Sequence, residues 1–364
     1  MRSIPAAVVV PLVASVILAV CGVSAAKDGD WSSIVTPPPE GEKTCLPSAR
    51  QLAYQEKQLG AFCHFGLPTY AISDAEYAAV FPWNPGNVPD VNRFNPTELD
   101  AEQWVLAAKS FGARHFVFPA KHHDGFCLWP TKTTDYSVRS TPWKNGRGDI
   151  VREVADACRK HGLAFGVYCS PADKHYGCYS TKPSYTKTPD RFIVGDRDAY
   201  WKYYKEQLTE LLTNYGEVVM VWFDNYGDPF GFDVADAKTN QILGAGRYDD
   251  ELVGLVRRLQ PGAVMLRDKT AKSDVRAVGG EDGTSPYPIW NVVRKGGVGP
   301  YDATLSGTLP PAAEGWYLCE SDIPTRPQWI WRPNSDAQLA SVERLMQAHD
   351  TSIGRGANIL INLT

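Results

Sequence analysis

Apolar residues in this chain fall in short uninterrupted blocks. The clearest is Val218-Val219-Met220-Val221-Trp222-Phe223, which closes on Asp224. A run without polar alternation predicts a strand buried on both faces, as in a parallel sheet. Asn225-Tyr226-Gly227-Asp228 then breaks it as a loop. Comparable blocks over 60–66, 115–120, 163–169, 263–266, 275–280, 315–319 and 357–363 predict seven further strands. Between most of them the apolar positions recur with helical spacing. Helices are expected over 47–58, from the cap Asp100 through Ser110, from Asp149 to the stop at Gly162, and over 198–213, 250–260 and 335–349.

Eight short strands alternating with amphipathic helices predict an α/β chain folded as a (β/α)8 TIM-like barrel. No G-x-G-x-x-G turn follows the first strand, which separates the pattern from a doubly wound nucleotide-binding sheet. The last block ends at the end of the chain, so the eighth helix is expected to be missing. The helix over 47–58 is then the candidate to cover the seam between strands eight and one. The barrel domain is expected over 47–364. Residues 26–46, with Thr36-Pro37-Pro38-Pro39, read as a linker. Residues 1–25 read as a secretory signal peptide: Arg2, an apolar stretch from Val8 to Val20, and Val23-Ser24-Ala25 as the cleavage site. The apolar stretch is short for a membrane span. A secreted protein without stable membrane association after cleavage is therefore expected.

Composition adds little to the fold and something to the function. Net charge is −4, which argues against nucleic acid as a partner. The chain carries 11 Trp, 17 Tyr and 13 Phe, rings that stack on sugars and also fill cores. It has 8 Cys, and cleavage after Ala25 leaves an odd number. A pair such as Cys169 and Cys178 is able to bridge one loop, but spacing does not fix a pairing. No spacing resembles a zinc site, and no cofactor is expected.

In a barrel every strand's carboxyl end faces one mouth. His64, His122, His123, Tyr168, Asp224, Arg267, Glu281 and Glu320 all fall at predicted strand ends. With Trp222, Trp329 and Trp331 nearby, this set suits glycoside cleavage, which needs one ionised carboxylate and one that holds its proton. Asp224 beside Trp222 fits the first role and Glu281 the second. His122 and His123 adjoin on a strand end, so their side chains are expected to diverge and to make separate hydrogen bonds rather than share a metal. Asn362-Leu363-Thr364 matches a glycosylation sequon, but inside a predicted strand it reads as coincidence.

Four segments, Ala61-Phe62-Cys63-His64-Phe65-Gly66, Lys121-His122-His123-Asp124-Gly125-Phe126, Gly166-Val167-Tyr168-Cys169-Ser170-Pro171 and Val221-Trp222-Phe223-Asp224, resemble motifs of the α-L-fucosidases of glycoside hydrolase family 29. The likeness covers about residues 46 to 364. It implies a retaining exo-hydrolase of fucosylated glycans with Asp224 as nucleophile. It further implies that His64, His122, His123, Tyr168 and Trp222 hold the fucose, and that Trp329 meets its apolar side. Glu76, followed here by Tyr77 where the family often has Trp, and Arg267 are implied contacts too. Gly279-Gly280-Glu281-Asp282-Gly283 resembles the acid/base motif of the branch preferring α-1,3/1,4-linked fucose, with Gly280 in place of the usual Asn. Glu281 is then the acid/base and Glu320 its rival. Many members carry a C-terminal β-sandwich, which is not expected here. The changes at Tyr77 and Gly280 leave one alternative: a lectin-like barrel that binds fucose without cleaving it.

Overall fold

The structure, a computed structural model, describes residues 46–70, 89–180, 192–193, 196–224, 246–267, 272–289, 291–293 and 315–364. The expected leader and almost all of the linker lie outside these residues, as do Glu76 and Tyr77. Eight parallel strands close into a barrel: β1 (Leu59–Phe62), β2 (His115–Lys121), β3 (Ala164–Cys169), β4 (Met220–Trp222), β5 (Val264–Leu266), β6 (Val275–Ala277), β7 (Leu318–Pro324) and β8 (Asn358–Asn362). Neighbours in sequence are neighbours in the sheet, and β8 pairs with β1 to complete the ring. This is the (β/α)8 barrel the hydrophobic blocks predict.

The helices begin and end where the side chains dictate. In α2 (Ala101–Ser110) and α3 (Ile150–His161), Asp100 and Asp149 accept hydrogen bonds from the N–H groups three residues on. Gly162 ends α3 in the left-handed region, at φ 75°. In α4 (Arg197–Asn214) the stripe of Tyr200, Tyr204, Leu208 and Leu211 is buried against the barrel, as core packing requires. Two of its hydroxyls also reach the end of β3 and the loop beyond it: Tyr204 donates to Cys169 O at 2.7 Å and Tyr200 to Pro171 O at 2.6 Å. Helices α5 (Gly246–Leu259) and α6 (Val342–Ser352) precede β5 and β8 in the chain.

Helix α1 (Ala49–Gln55) starts with a reciprocal cap between Ser48 and Gln51. It docks on the barrel, but across the opening formed by the strands' amino ends rather than over the β8–β1 seam. Gln51 Nε2 donates to Asp274 O and Trp316 O, just ahead of β6 and β7, at 3.0 and 2.9 Å. Asn358 at the start of β8 donates to Tyr54 O. The Tyr54 ring drops into the interior beside Met220, Val264 and Leu318. On the outer face Ile323, Ile359 and Ile361 pack with Ala348, flanked by Leu59, Phe111 and Leu345. Residues of α2's end and α6 thus cover the seam.

Strand alternation decides which residues see the mouth. Phe62, Tyr168, Met220 and Trp222 line the interior, whereas Cys63, Val167, Cys169, Val221 and Phe223 pack outward against helices. Continuing each alternation by one step turns His64 and Asp224 inward at the carboxyl end. Strand β7 corrects an expectation. Gly315-Trp316 belongs to a separate two-stranded ribbon with Val292-Val293, and the barrel strand runs through the polar segment Leu318–Pro324. Glu320 therefore sits near the strand's start, level with Ala277 and Asn358, not at its tip.

Candidate active site

Asp224 follows β4 at the mouth, with 31% of its side chain exposed. Tyr168, near the end of β3, donates to Asp224 Oδ2 at 2.8 Å. His123 Nε2 approaches the same oxygen at 3.4 Å. Burial beside this carboxylate drives the Tyr168 hydroxyl far above its ordinary pKa, so it stays a donor. Trp222 lies beneath, edge-on to Phe62 with centroids 4.9 Å apart.

His64 is held by Asn362 at the end of β8. The Asn362 amide donates to Trp329 O at 2.7 Å, which turns its oxygen toward His64. That oxygen receives the His64 backbone N–H at 3.1 Å and faces Nδ1 at 3.0 Å. Nδ1 must then carry the imidazole proton, which leaves Nε2 as an acceptor. Burial pushes the His64 pKa down to about 4, against a smaller upward pull from Asn362 and Asp224. His122 is likewise pushed well below its ordinary value, by burial and then by His123 and His64. Both rings are neutral at neutral pH.

The paired histidines do not diverge. Strand β2 ends at Lys121 after a register shift between Pro119 and Lys121, and the next residues form a turn. The turn brings the His122 and His123 rings to 4.2 Å, and His122 lies nearly parallel to Tyr168. Gly125 shapes this turn at φ 90°, where a Cβ would stand 2.1 Å from Asp173 Oδ1. Asp173 is fixed in turn by Lys121 Nζ at 3.1 Å. Among the described residues no group of three His, Cys, Asp or Glu is arranged to hold a metal.

Glu281 stands on a short 3-10 turn, Gly280–Asp282, beyond β6. Trp329 donates its indole N–H to Glu281 Oε2 at 2.8 Å, and the Trp329 ring lies 5.2 Å from that of His64. Glu281 is exposed as a residue. Its carboxyl is nonetheless held above the usual range, first by desolvation and then by the charge of Asp224, against the pull of the indole. Gly280 lies at φ 68°, in the region that glycine and asparagine adopt most readily. Glycine in place of asparagine therefore leaves this turn's backbone unchanged.

Two candidates are not brought to this cluster. Glu320 is wholly buried at the opposite end of the barrel, where Tyr54 donates to its Oε2 at 2.9 Å. Arg267 follows β5 but faces outward, its Nε 3.4 Å from Asp249 of α5, both side chains buried. Glu76 lies outside the described residues. Sequence reasoning missed Asn362 and Ser170, whose hydroxyl lies 2.6 Å from His123 Nδ1. A polar residue inside an apolar strand block was the available signal for Asn362.

A parallel barrel with carboxylates, histidines and indoles at one rim is the layout of barrel glycosidases. The family model described as Alpha-L-fucosidase matches residues 43–364, and the chain belongs to that family. It is 35% identical over 321 residues to Alpha-L-fucosidase 1 of Arabidopsis thaliana, which covers 87% of this chain and 56% of that protein. A glycoside hydrolase 29 family member from an unknown rumen bacterium superposes with a TM-score of 0.68 at 35% identity, over 88% of this chain and 53% of the other. A Ruminococcus gnavus GH29 fucosidase, crystallised in complex with fucose, gives 0.64 at 26%, over 87% and 63%. The chain thus spans little more than half the length of the curated relative.

Proposed function

We propose that this protein is a secreted, retaining exo-α-L-fucosidase that removes terminal fucose from glycans by double displacement. The reading is carried by one observation. Two carboxyl groups share the mouth, and the charge of Asp224 helps to keep a proton on Glu281. In the first step an Asp224 oxygen attacks C1, the C1–O bond breaks, and the departing oxygen takes the Glu281 proton. In the second, Glu281 removes a proton from water, whose oxygen attacks C1 and displaces Asp224 with net retention. His64 offers a lone pair to a sugar hydroxyl, and Tyr168 and Trp222 bracket the reacting centre. The Gly279–Gly283 turn supports a preference for α-1,3/1,4 linkages, and the leader over 1–25 supports secretion.

Glu281→Ala, assayed on an aryl α-L-fucoside with azide present, is expected to regain turnover and to release a fucosyl azide of retained configuration. Asp224→Gly with azide should give the inverted azide. Unchanged turnover in Glu281→Ala would remove that residue from the acid/base role. Binding of the fucoside by the native protein without release of the aryl alcohol would favour the lectin-like alternative. A panel of linear α-1,2 and branched α-1,3/1,4 oligosaccharides tests the linkage preference.

A further inference from the structure

Ser170 lies one residue beyond β3 and is completely buried. Its backbone is pinned on both sides by the α4 tyrosines, through Cys169 O and Pro171 O. Among the described residues its Oγ has two hydrogen-bond neighbours. The backbone N–H of Ala172 donates to it at 3.1 Å, and His123 Nδ1 stands 2.6 Å away. An amide N–H is only ever a donor, so the serine proton has one direction left, onto Nδ1. A neutral imidazole that accepts at Nδ1 carries its proton at Nε2. Nε2 is the atom that faces Asp224 Oδ2.

We propose that Ser170 is a positioning residue that holds His123 in the Nε2–H tautomer, so that a proton and not a lone pair confronts the Asp224 carboxylate. The consequence for rate rests on Asp224 being the nucleophile; the tautomer rests on the hydrogen bonds alone. His64 is set the opposite way by Asn362, with its proton at Nδ1. The mouth therefore contains one histidine built to accept and one built to donate. With Tyr168 and His123 both directed at Oδ2, that oxygen's charge is stabilised when the carboxylate departs from the sugar in the second step.

The test is a long-range proton–nitrogen correlation spectrum of the full chain labelled with 15N-histidine, with His123→Gln assigning the signal among the 7 histidines. In the native protein His123 should show a bare Nδ1 and a protonated Nε2. Ser170→Ala should mix the tautomers and lower kcat about tenfold, equivalent to about 1.4 kcal/mol of barrier, with KM for an aryl α-L-fucoside nearly unchanged. Ser170→Thr, which keeps the hydroxyl, should restore the signal and most of the rate. A native His123 protonated at Nδ1 would overturn the proposal, whether or not the variants fold. So would a Ser170→Ala spectrum identical to the native one. A native protein that cleaves no fucoside yet shows the expected tautomer would refute the fucosidase reading and leave the role of Ser170 standing.

Discussion

In the proposed mechanism Trp329 links the sugar-binding face to the acid/base carboxyl. Its indole N–H points at Glu281, and a donor favours the ionised form of a carboxyl. Removing that donor must raise the Glu281 pKa further, so the proton persists to higher pH. Trp329→Phe is therefore expected to move the basic limb of the kcat/KM profile upward, while the lost hydrogen bond and ring area raise KM. A basic limb displaced downward would show that Glu281 does not set it. At this scale the residue types were readable from the chain, but their partners were not. Asn362 looked like a chance sequon until its amide was seen between His64 and Trp329. Ser170 lay inside a recognisable motif, yet only the folded loop puts its oxygen on His123.

Strand β7 carries the main change in the candidate site. The apolar run at 315–319 drew the expected strand too early, because a barrel interior tolerates polar residues where another element satisfies them. Tyr54 of α1 does this for one oxygen of Glu320, Oε2, and His115 Nε2 lies 3.0 Å from the same hydroxyl, while Oε1 stays unpaired among the described residues. Burial pushes the Glu320 pKa up to about 8 from an ordinary 4.5. A folded pKa above the unfolded one means stability that is complete below pH 4.5 and is lost as pH rises through about 8. Unfolding free energy should thus fall over this window with a slope approaching about 1.4 kcal/mol per pH unit from this group. Glu320→Gln should flatten the slope in urea titrations at several pH values and retain turnover; loss of turnover in a folded variant would return Glu320 to the acid/base question. The turn after β2 is constrained differently. Gly125→Ala meets both a forbidden φ and the Asp173 carboxylate, and should cost about 2 kcal/mol or more, read as a lower Tm.

Across the whole barrel, stability comes from packing between strands and helices and from the α1 plug, without covalent cross-links among the described residues. Cys63, Cys127, Cys158, Cys169, Cys178 and Cys319 are all buried thiols, so Cys169 and Cys178 do not form the bridge their spacing allowed. Thiols in apolar surroundings behave as small hydrophobes, and burial raises the pKa of Cys63 and Cys158 to about 12. Added reductant should leave the Tm of the native protein unchanged; a fall of several degrees would reveal a bridge. The sequence by itself determined the number, order and parallel sense of the barrel strands, because blocks buried on both faces and capped helices are local signals. It also brought Asp224, His64 and Tyr168 to one rim, because alternation along a strand is local as well. Only the tertiary structure decided that α1 closes the amino end, that His122 and His123 face each other across a turn, that Arg267 looks outward to Asp249, and that Glu281 and not Glu320 shares the mouth with Asp224. Those outcomes depend on strand register and on contacts between separate elements, from Arg267 with Asp249 to Gln51 with Asp274, which no local pattern encodes.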